Sequence, residues 1–175
     1  MQTAPDPLAQ AKAYQQSLLA ALGDDDPAEV QSLGPANARA LVEEAGVHLR
    51  TRPEPREWSV LLCLAHIADA ELVMAGRYRW VLAHDRPELI GYDQDLWVDR
   101  LHGDDDDPEV LLGQYALLRA GNVALWLRSS EEDRARVAVH RERGEESYGL
   151  MFRMLAGHDR VHLAQARRAL EAVRR

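Results

Sequence analysis

Met151-Phe-Arg-Met-Leu-Ala-Gly-His-Asp-Arg-Val-His-Leu-Ala-Gln165 is the stretch whose period decides the fold. Met151, Leu155, His158, His162, Gln165 and Ala169 follow one another in steps of four, three, four, three and four. That is the inward stripe of a bundle helix, and it predicts a helix over residues 147–173. His158 and His162 therefore occupy core positions one turn apart, about 6 Å along the axis. Two imidazoles at this spacing can share a metal ion. Buried without one, their nitrogens each need another partner.

A second apolar segment, Val60 to Ala70, carries one interruption of the same kind, His66. Three imidazoles pointing into one core would leave a divalent ion its full charge and an open coordination position, as in catalytic sites. Cys63, one turn before His66, reads as a small buried hydrophobe and not as a fourth ligand. Asp69, three residues after His66, is a candidate acceptor orienting that imidazole, a helix-surface salt bridge being the other reading. His48, His84, His102 and His140 fall outside the two stripes, on helix ends or loops, and are not expected as ligands. The aspartates from Asp104 to Asp107 lack the alternating ligands of a calcium loop and read as a solvated helix cap.

The rest of the chain points to the all-α class. Aromatic residues are 6%, Asn-Gly and Asp-Gly dipeptides are absent, and alternating β-branched runs are missing. Helices are expected near 8–22, 35–49, 59–83, 108–127 and 147–173, with one broken element as the alternative reading of the first two. Asp26-Pro27 opens a short helix, Gly34-Pro35 restarts it, and Ser59, Asp107 and Ser147 stand as further caps. The expectation is a four-helix bundle without a sheet, forming one domain over residues 1–175. Residues 85–107 read as a loop, long enough to carry function or a crossover between helices 2 and 3.

Composition narrows the function. Twenty-one basic against 29 acidic residues give a net charge of −8, which speaks against general nucleic-acid binding. The chain has 29% charged residues and no apolar run of roughly 18, so no membrane association is expected. The first residues, Met1 to Pro7, have neither the basic nor the apolar region of a signal peptide. With a single cysteine, the expected setting is the reducing cytoplasm.

Several stretches in order resemble the DinB/YfiT-like superfamily, from about Leu18 to Gln165. They are Trp58-Ser59 with Leu64-Ala-His-Ile-Ala-Asp-Ala-Glu71, Gly91-Tyr-Asp-Gln-Asp-Leu-Trp97, His140-Arg-Glu-Arg-Gly-Glu-Glu-Ser147 and Leu155 to Gln165. The resemblance implies a four-helix bundle of up-down-down-up order, often dimeric. It also implies a metal site on His66, His158 and His162, the triad already reached from periodicity. Members of that family include thiol-dependent S-transferases, a mycothiol-dependent isomerase and proteins labelled hydrolases.

The leading expectation is thus a thiol-dependent S-transferase acting on a small molecule. It would use a divalent ion, zinc first, with nickel, iron or copper as alternatives, and a low-molecular-weight thiol as cosubstrate. A metal-dependent hydrolase and a non-catalytic metal-binding bundle are the other readings, and a homodimer is expected from the resemblance. The sequence names no catalytic base. Tyr92 and Asp93 on the long loop, with Arg141 and Arg143 before the last helix, are the candidate substrate contacts.

Overall fold

Asp26, Ser59, Asp107 and Ser147 each accept hydrogen bonds from backbone N–H groups of the helices they precede. A cap of this kind stabilises its helix by about 1 kcal/mol, and these four open the long helices of the bundle. In the computed structural model, which describes residues 7–175, α1 spans Pro7–Leu22, α2 Pro27–Ala45 and α3 Val60–Ala83. Strand β1 (Glu88–Leu89) and helix α4 (Gln94–Leu101) follow, then α5 (Pro108–Leu127) and the short α6 (Glu131–Ala135). The chain ends in β2 (Val137–His140), β3 (Gly144–Ser147) and α7 (Tyr148–Val173). The signal-peptide reading of the first residues lies largely outside the described residues.

Two apolar clusters fix the directions of the helices. One joins Leu61 and Leu64 of α3, Leu111 and Leu112 of α5, Leu41 and Ala45 of α2, and Ala166 and Leu170 of α7. The other joins Tyr78 and Val81 of α3, Trp126 of α5, Ala28 of α2, and Met151 and Phe152 of α7. Early residues of α3 and α5 thus meet late residues of α2 and α7, and the reverse holds at the other end. So α3 and α5 run parallel to each other and antiparallel to α2 and α7, an up-down-down-up bundle. Parallel neighbours cannot be joined by a tight turn, which is why residues 84–107 travel the length of the bundle.

Three expectations are corrected. The connection 85–107 is not all loop, because Asp93 caps α4 by accepting from the Leu96 N–H. A small sheet exists, in the order β1-β2-β3, with β1 parallel to β2 and β2 antiparallel to β3. Its strands are two to four residues long, too short for the alternation that betrays a strand in sequence. Finally, α2 runs straight through Gly34-Pro35. Pro35 has no N–H to give the Gln31 carbonyl, and that carbonyl instead accepts from buried Arg119 Nη1 at 3.0 Å. Gly34 leaves room for the same cluster, since a Cβ there would lie 2.3 Å from the Tyr115 hydroxyl.

Among the described residues, α5 alone is long and apolar enough to cross a membrane by length and composition. It packs against α2 and α3 within the bundle.

Candidate metal centre

α3 presents His66, and α7 presents His158 and His162, all three buried. Their side chains converge where the two helices pack. Nε2 of His66 lies 2.9 Å from Nε2 of His158. Ring centroids are 4.3 Å apart for His66–His162 and for His158–His162, and 4.9 Å for His66–His158. One ring nitrogen from each residue lies within 4.8 Å of the other two. Trp58, just ahead of α3, packs on the group with its ring 5.1 Å from His66 and 6.1 Å from His162.

The electrostatics keep these imidazoles neutral. Burial, reinforced by His162, pushes the His66 pKa down to about 3. Burial, then the charges of His162, His66 and Arg119, holds His158 well below its ordinary value, and burial lowers His162. Neutral imidazole is the form that binds a metal. His162 Nδ1 faces Gln165 Oε1 at 2.9 Å. Since an amide oxygen only accepts, the proton sits on Nδ1 and the Nε2 lone pair is free. Among the described residues, buried His158 Nδ1 has no hydrogen-bond partner. Three buried, neutral nitrogen donors converging on one point fit a divalent ion of the zinc type.

A second buried cluster locks the helices around this group. Arg119 of α5 donates from Nε and Nη2 to Glu71 Oε2 at 2.9 and 2.6 Å, and from Nη1 to Asp159 Oδ2. Asn122 donates to Glu71 Oε1 at 2.7 Å, and Tyr115 to Asp159 Oδ2 at 3.0 Å. Asp159 follows His158 directly, so these bonds fix the helix turn that carries the histidine.

His158 also borders a cavity of about 390 Å³ between α1, α3, α7 and the β2–β3 hairpin. Its walls are Leu18, Ala70, Met74, Met151, Met154 and Leu155, with Tyr14, Arg77, Tyr92, His140, Arg143 and Glu146 supplying the polar atoms. A more polar depression over Trp58, His162 and Gln165 lies on the other side, and Gln94 borders both spaces.

The expected site residues fall into three groups. His66, His158 and His162 are brought together, whereas Cys63 is a fully buried core residue whose thiol burial pushes up to about 12. Among the described residues His48, His84, His102 and His140 stay out of the cluster. Asp69 does not orient His66: its Oδ2 lies 2.9 Å from His102 Nε2, and Asp106 Oδ2 lies 2.9 Å from Nδ1 of that ring. Tyr92, Asp93 and Arg143 line the cavity, with Arg143 Nη2 bonded to Glu146 Oε2 at 2.9 Å. Arg141 does not line it; it is mostly exposed and 3.8 Å from Glu88. The sequence reading missed Arg77 and His140 in this wall. The signal for Arg77 was its place on the His66 face of α3, in the series 66, 70, 74, 77.

Comparison with known proteins identifies the family and the fold. The family model described as the DinB superfamily matches residues 32–166. "Putative metal-dependent hydrolase OB0413" of Oceanobacillus iheyensis is 30% identical over 114 residues, 65% of this chain and 65% of that protein's length. YfiT from Bacillus subtilis, described as a probable metal-dependent hydrolase with an unusual four-helix bundle topology, superposes with a TM-score of 0.74 at 19% identity. That match covers 99% of this chain and 90% of the other, and at such identity it speaks for the fold.

Proposed function

The chain belongs to the DinB superfamily, and from that premise we propose a metal-dependent hydrolase of small molecules, its divalent ion held by His66, His158 and His162. The observation that carries this reading is the convergence of three buried, neutral imidazoles beside a 390 Å³ cavity. The likeness to OB0413, a protein named as a metal-dependent hydrolase, supports it. Bound there, a divalent ion, zinc being the first candidate, would supply Lewis acidity and would lower the pKa of a water or thiol that reached it. Gln165 holds the proton of His162 on Nδ1 and so keeps Nε2 available. Trp58 packs against the rings of His66 and His162. Leu18, Met74, Met151 and Met154 give the substrate an apolar bed.

A specific observation favours thiol S-transfer as a second reading. The acids nearest the triad along α3 and α7 are engaged: Asp69 with His102, Glu71 with Arg119 and Asn122, and Asp159 with Arg119 and Tyr115. A thiol that ionises at a metal needs no carboxylate base. Purified protein, stripped and reloaded with zinc, nickel, iron or copper, should be assayed on a panel of esters and amides and on thiols paired with a model electrophile. Metal-dependent ester or amide turnover supports hydrolysis. Turnover only when a thiol is consumed together with the electrophile replaces it with the second reading, and none on either panel removes both.

A further inference from the structure

Arg77 is a buried cation for which no ion pair within 4.0 Å occurs among the described residues. It is 5% exposed and lines the cavity that His158 borders. The other charges of that wall are accounted for differently. Arg143 is neutralised by Glu146, while Asp93 and Glu142 are exposed at the rim. Arg77 Nη2 donates to the Ile90 carbonyl at 2.7 Å; among the described residues Nε has no partner and Nη1 meets the Met74 sulfur at 3.8 Å. Isolated buried charge is costly, and proteins pair or neutralise it.

His140 makes the deficit sharper. Its Nδ1 accepts the Glu142 N–H at 3.2 Å, so the proton of the neutral ring is on Nε2. Burial, with Arg143 and Arg77 nearby, pushes the His140 pKa down to about 4, which keeps the ring neutral. Nε2–H of His140 and the second N–H of Arg77 Nη2, whose first goes to the Ile90 carbonyl, are therefore donors 3.4 Å apart that share no acceptor among the described residues. Such a pair calls for an anionic oxygen from outside the chain.

Position along α3 gives the ligand its shape. Residues 66 and 77 are eleven apart, three turns on one face, or roughly 16 Å along the axis. Ala70 and Met74 lie between them on the same face and line the cavity, with Met151, Met154 and Leu155 opposite. We propose that the cavity takes an elongated, largely apolar molecule ending in a single carboxylate. Arg77 and His140 receive the carboxylate, and the chain runs over the methionines toward the histidine triad. This rests on the reading of the cavity as the substrate site and adds the substrate class to it.

The test uses sodium octanoate, octanamide and octylamine as probes in calorimetric titrations of the full chain, once with chelator and once with zinc. A charge-assisted contact predicts that wild type binds octanoate about tenfold or more tighter than octanamide, with octylamine weakest. Arg77→Met should abolish the preference in both conditions without lowering the melting temperature, because it removes an uncompensated charge. Equal affinity of the acid and the amide in wild type, a preference that survives Arg77→Met, or no saturable octanoate binding at millimolar concentration would each overturn the proposal. An Arg77→Met chain that unfolds would mark the guanidinium as structural and also overturn it. Loss of metal binding with the octanoate preference intact would sink the hydrolase reading and leave this one standing.

Discussion

His158 and Asp159 are adjacent on α7 but look in different directions, the imidazole toward two other histidines and the carboxylate toward Arg119 and Tyr115. The first was legible in the sequence, because a histidine in an apolar stripe must find a partner. The second was not. An Asp-Arg step on a long helix reads as surface charge, and the partner, Arg119, lies 40 residues away on another helix. Gly34-Pro35 was misread as a break for the same reason, since its purpose is to admit the Arg119 guanidinium and the Tyr115 hydroxyl. Replacing Arg119 with Met should leave Glu71 and Asp159 buried without their cation and cost about 3–5 kcal/mol, measured by urea denaturation at neutral pH. A loss below about 1 kcal/mol would show that the network does not hold the bundle.

At the scale of elements, α4 was the least readable helix, hidden in a stretch that reads as loop, whereas α1, expected near 8–22, spans Pro7–Leu22; both border the cavity region. α1 crosses α7 so closely that a Cβ on Gly157 would lie 1.9 Å from the Leu18 carbonyl oxygen. Gly157→Ala should push α1 away at a cost of about 1–3 kcal/mol or more and loosen the wall formed by Tyr14 and Leu18. Unchanged stability would contradict that packing. α4 is tied down at its end by His102, bonded to Asp69 and Asp106. Burial works against the His102 imidazolium, but the two carboxylates outweigh it and raise its pKa above the ordinary value. A raised folded pKa contributes stability that is full below about pH 6.5, the unfolded value, and is lost as pH rises through the folded one. The melting-temperature gap between wild type and His102→Asn should therefore be widest near pH 6 and shrink in mildly alkaline buffer. A gap that grows with pH would refute the assignment.

For the whole molecule, the direction of the helices follows from where the two apolar clusters lie, and the parallel α3–α5 pair explains the long crossover. The sequence showed the long helices through their stripes and caps. It concealed the small sheet, whose strands are held by main-chain pairing at the bundle end instead of by an alternating pattern. Because two apolar clusters already join α2, α3, α5 and α7, the fold should stand without an ion, unlike a zinc finger. The most direct measurement is metal content by mass spectrometry after dialysis against excess zinc, for wild type and for the chain carrying His158→Ala and His162→Ala. The prediction is one ion per wild-type chain and none in the double variant, with cooperative thermal unfolding in both. A wild-type chain that holds no stoichiometric ion, or a double variant that keeps it, would contradict the assignment of the triad.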